Sequence, residues 1–129
     1  MTLKIKTLKK RDVVDITDKI EVALEGSGLV NIFVKHTTAA LTTADLDPGT
    51  DIDLLDAIEN MTPKGLWRHP HDPSHFPDHL WASLIGPTLM VPYTQGKLSL
   101  GTWQRIILIE LDGPRDRYVE VNILVAKND

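Results

Sequence analysis

The 129-residue chain contains no cysteine. That absence excludes disulfides, thiolate metal sites and cysteine nucleophiles together, so any metal must be held by imidazole, carboxylate or water. No apolar run approaches the roughly 20 residues that a membrane-crossing helix needs. The opening MTLKIKTLKKRD also lacks the apolar core of a secretion signal, so a soluble, cytoplasmic protein without a membrane partner is expected. An excess of positive charge is missing too. Fourteen Lys and Arg stand against eighteen Asp and Glu, a net charge of −4, which offers no electrostatic footprint for nucleic acid. The chain shows no internal repeat or low-complexity segment, and its length suits one domain over residues 1–129.

What the chain has instead is a concentration of histidine. The stretch WRHPHDPSHFPDHL, residues 67–80, holds four of the five histidines and interrupts them with three prolines. Three imidazoles with an open fourth position make a site that activates water or polarises a substrate oxygen. His69-Pro70-His71 would project both rings to one side if the segment were extended. His75 and His79 have helical i, i+4 spacing, but Pro77 restricts a helix to starting near residue 76 or 77, which weakens that pairing. Solvated loops rich in Pro, Asp and His are common, and a lone His36 at a strand end is ordinarily satisfied by backbone. Spacing by itself therefore selects no ligand set.

The remaining pattern is mixed. TLKIKTLK alternates as a half-buried strand near a sheet edge, and DKIEVALEGSG reads as a short helix with Asp18 and Glu21 at capping-box spacing. LVNIFVKH and TTAALTT read as strand, tight bend and strand. Leu54, Leu55, Ile58 and Met61 recur at helical spacing after Thr50 and Asp51, which predicts a helix over about 51–61. Residues 62–77 hold half of the eight prolines and read as a long loop of the kind that carries function. A third helix follows with Pro77 in its first turn, Leu80, Leu84 and Ile85 inward, and Gly86-Pro87 ending it. In the last third, TLMVPY and KLSLGTW flank a Gln95-Gly96 turn, and WQRIILIEL is joined to RYVEVNILVA by DGPRD as a hairpin. Val119, Val121, Ile123 and Val125 form the apolar face of one strand, with Ile107, Ile109 and Leu111 on its partner. About seven strands and three short helices predict an α+β fold, a largely antiparallel β-sandwich in a single domain.

Four separated segments from about residue 30 onward, HTTAALTTADLDPG, ASLIGP, GKLSLGTWQ and DGPR, resemble the secondary thiamine-phosphate synthase family. The resemblance implies an α+β sandwich assembled as a homotrimer, with a pocket near the subunit boundary. It also implies three metal-ligating histidines, which fall on His36, His71 and His79, with His69 and His75 left as extras. Whether one of those two replaces His71 stays open.

The activity so implied couples a pyrimidine diphosphate to a thiazole phosphate with release of pyrophosphate. Such chemistry needs positive charge on the leaving group and a pocket for an aromatic ring. Asp45 and Ser83 are the candidate catalytic residues; Thr37, Thr38, Gly101, Thr102, Trp103, Gln104 and Arg105 are the candidate contacts to a small phosphorylated substrate. The cofactor expected is a divalent ion, and imidazole ligands favour zinc over magnesium. This chain departs from the family at Ala44-Asp45, where Asn-Glu is usual, and at Trp81, where a lysine is frequent. Two competing readings follow, a trimeric metal- or anion-binding module without turnover and a metal-dependent hydrolase.

Overall fold

The computed structural model describes residues 1–125. Among these residues, eight strands form two antiparallel sheets. The first sheet contains β1 (Thr2–Lys6), β3 (Gly28–Val34), β5 (Thr88–Thr94), β6 (Lys97–Leu98) and β8 (Asp116–Val125) in the order β1-β8-β3-β5-β6. The second contains β2 (Asp12–Asp15), β4 (Ala39–Ala44) and β7 (Arg105–Glu110) in the order β2-β7-β4. Three helices complete the fold: α1 (Thr17–Glu21), α2 (Thr50–Met61) and α3 (Phe76–Ile85). This is the α+β, sheet-rich single domain that the sequence predicts. Among the described residues, no helix is long and apolar enough to cross a membrane.

Two apolar layers hold these parts together. Alternation in β3 turns Val30, Ile32 and Val34 inward, where they meet Ile106 and Leu108 of β7, Leu41 of β4 and Val119 and Val121 of β8. The opposite face of β7 carries Ile107 and Ile109, which pack with Leu111 against Ile58 of α2 and Ala82 of α3. Strand β7 is thus buried on both faces, which explains its unbroken apolar run.

Several expectations are corrected. DGPRD is a crossover and not a hairpin, because β7 and β8 lie in different sheets. Strand β8 instead pairs with β1 and β3, and its inward face is buried at Val119 and Val121 but exposed at Ile123 and Val125. Ala126, which the sequence places in this strand, lies outside the described residues. In α3 the buried residues are Asp78 and Ala82, while Leu84 is 65% exposed. Met61 of α2 is exposed as well. The Asp18–Glu21 capping box does not form: Asp15 accepts the Thr17 N–H (3.0 Å), and Glu21 accepts the Leu98 N–H (3.0 Å) across to β6.

The crossovers between the sheets converge on one buried ion pair. Arg117 of β8 is 1% exposed and Glu110 of β7 not at all. The Arg117 Nε donates to both Glu110 carboxylate oxygens at 3.0 Å, and Nη2 donates to Thr38 Oγ1 at 2.7 Å and the Thr38 carbonyl at 3.1 Å. Thr7 Oγ1 donates to Glu110 Oε1 at 2.6 Å, and the Asp112 N–H to Oε2 at 3.2 Å. Burial pushes the Glu110 carboxyl up, but hydrogen bonds from Arg117 and Thr7 outweigh it and hold the group below its ordinary value. Gly113 passes so close that a Cβ there would stand 2.4 Å from the Lys9 carbonyl oxygen.

Removing one partner of such a pair leaves an uncompensated buried charge. Arg117→Met is expected to cost about 3–5 kcal/mol in urea unfolding, while the double variant Arg117→Met/Glu110→Leu recovers most of that loss. Equal destabilisation by single and double variants would show that the charge is not the cause.

Candidate metal centre

The segment after α2 is pinned before it reaches the histidines. Thr62 Oγ1 donates to the Ile58 carbonyl at 2.7 Å and accepts the Trp81 indole N–H at 2.9 Å. The end of α2 is thereby tied to α3. Trp81 is also packed against the α2 side of the core, so at this position the chain uses the side chain for structure.

A 3₁₀ turn over Pro73–His75, capped by Asp72, then runs directly into α3. His75 itself has helical dihedrals (φ −81°, ψ −15°), and Pro77 occupies the first turn, where its missing N–H is not required. The i, i+4 alignment of His75 and His79 therefore survives the proline. His71 behaves differently. It takes a positive φ of 69°, which breaks the extended conformation that would have kept His69 and His71 on one side. His69 folds back onto α3, whereas His71 is exposed.

One ligand atom from each of His69, His75 and His79 lies within 4.8 Å of the others. The His69 and His79 ring centroids are 4.6 Å apart, and those of His75 and His79 are 5.3 Å apart. Nitrogens bound tetrahedrally to zinc stand about 3.4 Å from one another, so modest ring movements bring the three onto one ion. The donor set of three imidazoles fits a borderline-soft divalent metal.

Behind the cluster stands a carboxylate network. His75 Nε2 meets Asp112 Oδ2 at 2.6 Å and Asp78 Oδ2 at 3.3 Å, leaving Nδ1 as the nitrogen available to a metal. Asp112 is held in turn by Lys10 (2.8 Å) and Arg115 (2.7 Å), and buried Asp78 by Lys10 (2.6 Å) and Arg11 (3.0 Å). Burial raises the Asp112 carboxyl, yet hydrogen bonds from Lys10 and His75 dominate and hold it below its usual value. His75, Asp78 and Asp112 form a second close group, but Lys10 and Arg11 already neutralise it. Neither Asp112 nor Asp78 is singled out by the sequence, where DGPRD reads as a hairpin turn; no spacing signal links either acid to His75.

Of the other expected site residues, His36, Thr37, His79 and Ser83 line one cavity of about 310 Å³ with Ala82 and Pro87. His36 is not in either candidate metal group among the described residues. Its Nε2 accepts the Tyr118 N–H at 3.0 Å, so the neutral ring carries its proton on Nδ1 and acts as a donor. Thr38 does not line this cavity; it is buried and holds Arg117. Asp45, Gly101, Thr102, Trp103 and Gln104 line a separate cavity of about 380 Å³. There Gln104 bridges Thr43 and the Gly101 N–H, and Trp103 is 72% exposed. Arg105 is engaged by Asp15 (2.7 Å) and Asp18 (3.2 Å) and is not a free phosphate-binding cation.

Burial, followed by the charge of Arg117, holds the His36 imidazole below its ordinary value of 6.5. The unfolded chain thus takes up this proton before the folded one does. The associated stability is complete above 6.5 and declines as pH falls below it. Stability should decline as pH falls through and below 6.5, with a shallower slope in His36→Gln, and the His36 resonances should titrate below the ordinary imidazole range. A normal His36 titration would contradict this environment.

The model of the UPF0047, YjbQ-like protein family matches residues 1–126. A UPF0047 protein of Archaeoglobus fulgidus is 42% identical over 126 residues, covering 96% of this chain and all of that protein. The UPF0047 protein YugU of Bacillus subtilis is 34% identical, covering 95% of this chain and 97% of YugU. Among solved structures, the conserved hypothetical protein TT1486 of Thermus thermophilus is 38% identical with a TM-score of 0.87, covering 96% of this chain and 99% of that one.

Proposed function

Because the chain belongs to the UPF0047 family of YjbQ-like proteins, we propose that it is a metal-assisted enzyme acting on a small phosphorylated substrate. His69, His75 and His79 hold the divalent ion, zinc in preference to magnesium. The observation that carries this reading is the convergence of three imidazoles with a buttressed carboxylate behind one of them. The metal would supply Lewis acidity and positive charge. The latter matters here because Lys10, Arg11, Arg105 and Arg115 are all engaged by carboxylates. Thr37 and Ser83 offer hydroxyls, and His36 an N–H, to a group lying in the adjoining cavity.

Thiamine-phosphate synthesis is the specific form of this proposal and rests on the motif resemblance, since the family description names no reaction. Metal-dependent hydrolysis is a second reading, favoured by a three-imidazole donor set that leaves a position open for water. A cytoplasmic setting and a homotrimer belong to the same proposal. The homotrimer finds support in the outer face of the five-stranded sheet, where Leu29, Phe33, Met90, Tyr118 and Leu124 are exposed together.

Metal analysis of untagged protein tests the centre. About one zinc per chain is expected, lost in His69→Ala, His75→Ala and His79→Ala and kept in His71→Ala. Asp112→Asn should weaken zinc affinity about 10–100-fold. Stoichiometric zinc in the triple-histidine variant would overturn the assignment. Rescue of a thiamine-auxotrophic strain by wild type but not by His79→Ala supports synthase activity; failure with folded, zinc-loaded protein removes it.

A further inference from the structure

We propose that residues 63–71 form a strap that a divalent ion closes onto α3 through His69, so that binding the ion and ordering this segment are one event. The inference rests on the metal-centre reading and adds to it a difference in kind among the three ligands.

The segment is fixed at its two ends and loosely held between them. At one end Thr62 is bonded to Ile58 and Trp81, and at the other Asp72 caps the 3₁₀ turn. The backbone hydrogen bond that the intervening residues make is local, from the Asp72 N–H to the Pro70 carbonyl at 2.9 Å. Among the described residues, none of 63–71 takes part in an ion pair. Seven of these nine residues are exposed, and the two that are partly covered are Trp67 and His69. The Trp67 ring stands 4.8 Å from that of Phe76, and the His69 ring 4.6 Å from that of His79 and 5.8 Å from that of His75. Cavities of about 470 Å³ and about 510 Å³ both border Trp67, so its packing is incomplete. A segment held by two ring contacts and almost no hydrogen bonds opens at low free-energy cost.

His75 and His79 are placed differently. Both lie on the continuous run from the 3₁₀ turn into α3, and His75 is gripped by Asp112, so these two imidazoles are in position before an ion arrives. His69 is brought to them by the strap. An ion ligated by all three clips a loop of the chain shut, and the free energy of ligation shifts the strap from open to closed. Conversely, a contact that favours the closed strap raises affinity for the ion. The Trp67–Phe76 contact is in a position to do this although the indole ligates nothing.

Trypsin reads the strap directly, because exposed Lys64 and Arg68 lie within it. The untagged full chain is digested briefly with and without one equivalent of zinc, the cut sites being mapped by mass spectrometry and bound zinc measured in the same samples. Zinc is expected to slow cleavage after Lys64 and Arg68 about tenfold or more, while cleavage after exposed Lys97 of β6 stays unchanged. His71→Ala should keep this protection and His69→Ala should lose it. Trp67→Ala should speed cleavage of the metal-free protein and weaken zinc affinity severalfold. Bound zinc without protection of the strap, or equal protection at Lys97, would overturn the strap and leave the metal centre standing; a wild type that binds no zinc would overturn both.

Discussion

The structure depends on a charge that cannot be left alone. Arg117 and Glu110 are both withdrawn from water, and neither is tolerable there without the other and without hydrogen bonds to fill the remaining valences. Those bonds come from the places where the chain changes sheets. Thr7 lies between β1 and β2, Thr38 between β3 and β4, and Asp112 between β7 and β8. One polar knot thereby closes that end of the sandwich, and Gly113 is required because no side chain fits between Lys9, Thr7 and Glu110.

The candidate site is suspended from that knot. His36 and Thr37 precede Thr38, and the His36 ring is held by the Tyr118 N–H next to Arg117. Asp112 follows Leu111, whose N–H bonds the Thr38 carbonyl at 3.1 Å, and Asp112 in turn grips His75. Lys10 and Arg11, carried on the β1–β2 crossover, restrain Asp78 of α3. The rigid interior thus orients the candidate ligands borne by an otherwise loop-like segment, as a metal site would require of its outer partners. The same pairing consumes most of the nearby positive charge.

Much of this was legible from residue pattern. Strands β3 and β5, the Gln95-Gly96 turn, α2 and the start of α3 near Pro77 were all expected, because each reflects a local preference of backbone and side chain. Errors arose where a local pattern had two solutions. The sequence from Ile106 to Ile109 is apolar on both faces, and only the presence of helices on one side and a second sheet on the other explains why. DGPRD has the chemistry of a hairpin turn, yet Glu110–Arg117 and Gly113 send it from one sheet to the other. Leu84 fits an apolar helix face that the fold turns outward, since Asp78 is drawn in by Lys10 and Arg11.

The sequence by itself determined the α+β class, the absence of thiolate chemistry and the concentration of imidazoles before and within α3, because composition and short-range periodicity encode those properties directly. Only the tertiary structure decided which imidazoles meet. The positive φ at His71 and the 3₁₀ turn at Pro73–His75 set ring directions that spacing does not specify. Asp112 comes to His75 from 37 positions downstream through the crossover at Gly113. A ligand set is a matter of distances between side chains far apart in the chain, and those distances exist only once the two sheets have closed on their buried pair.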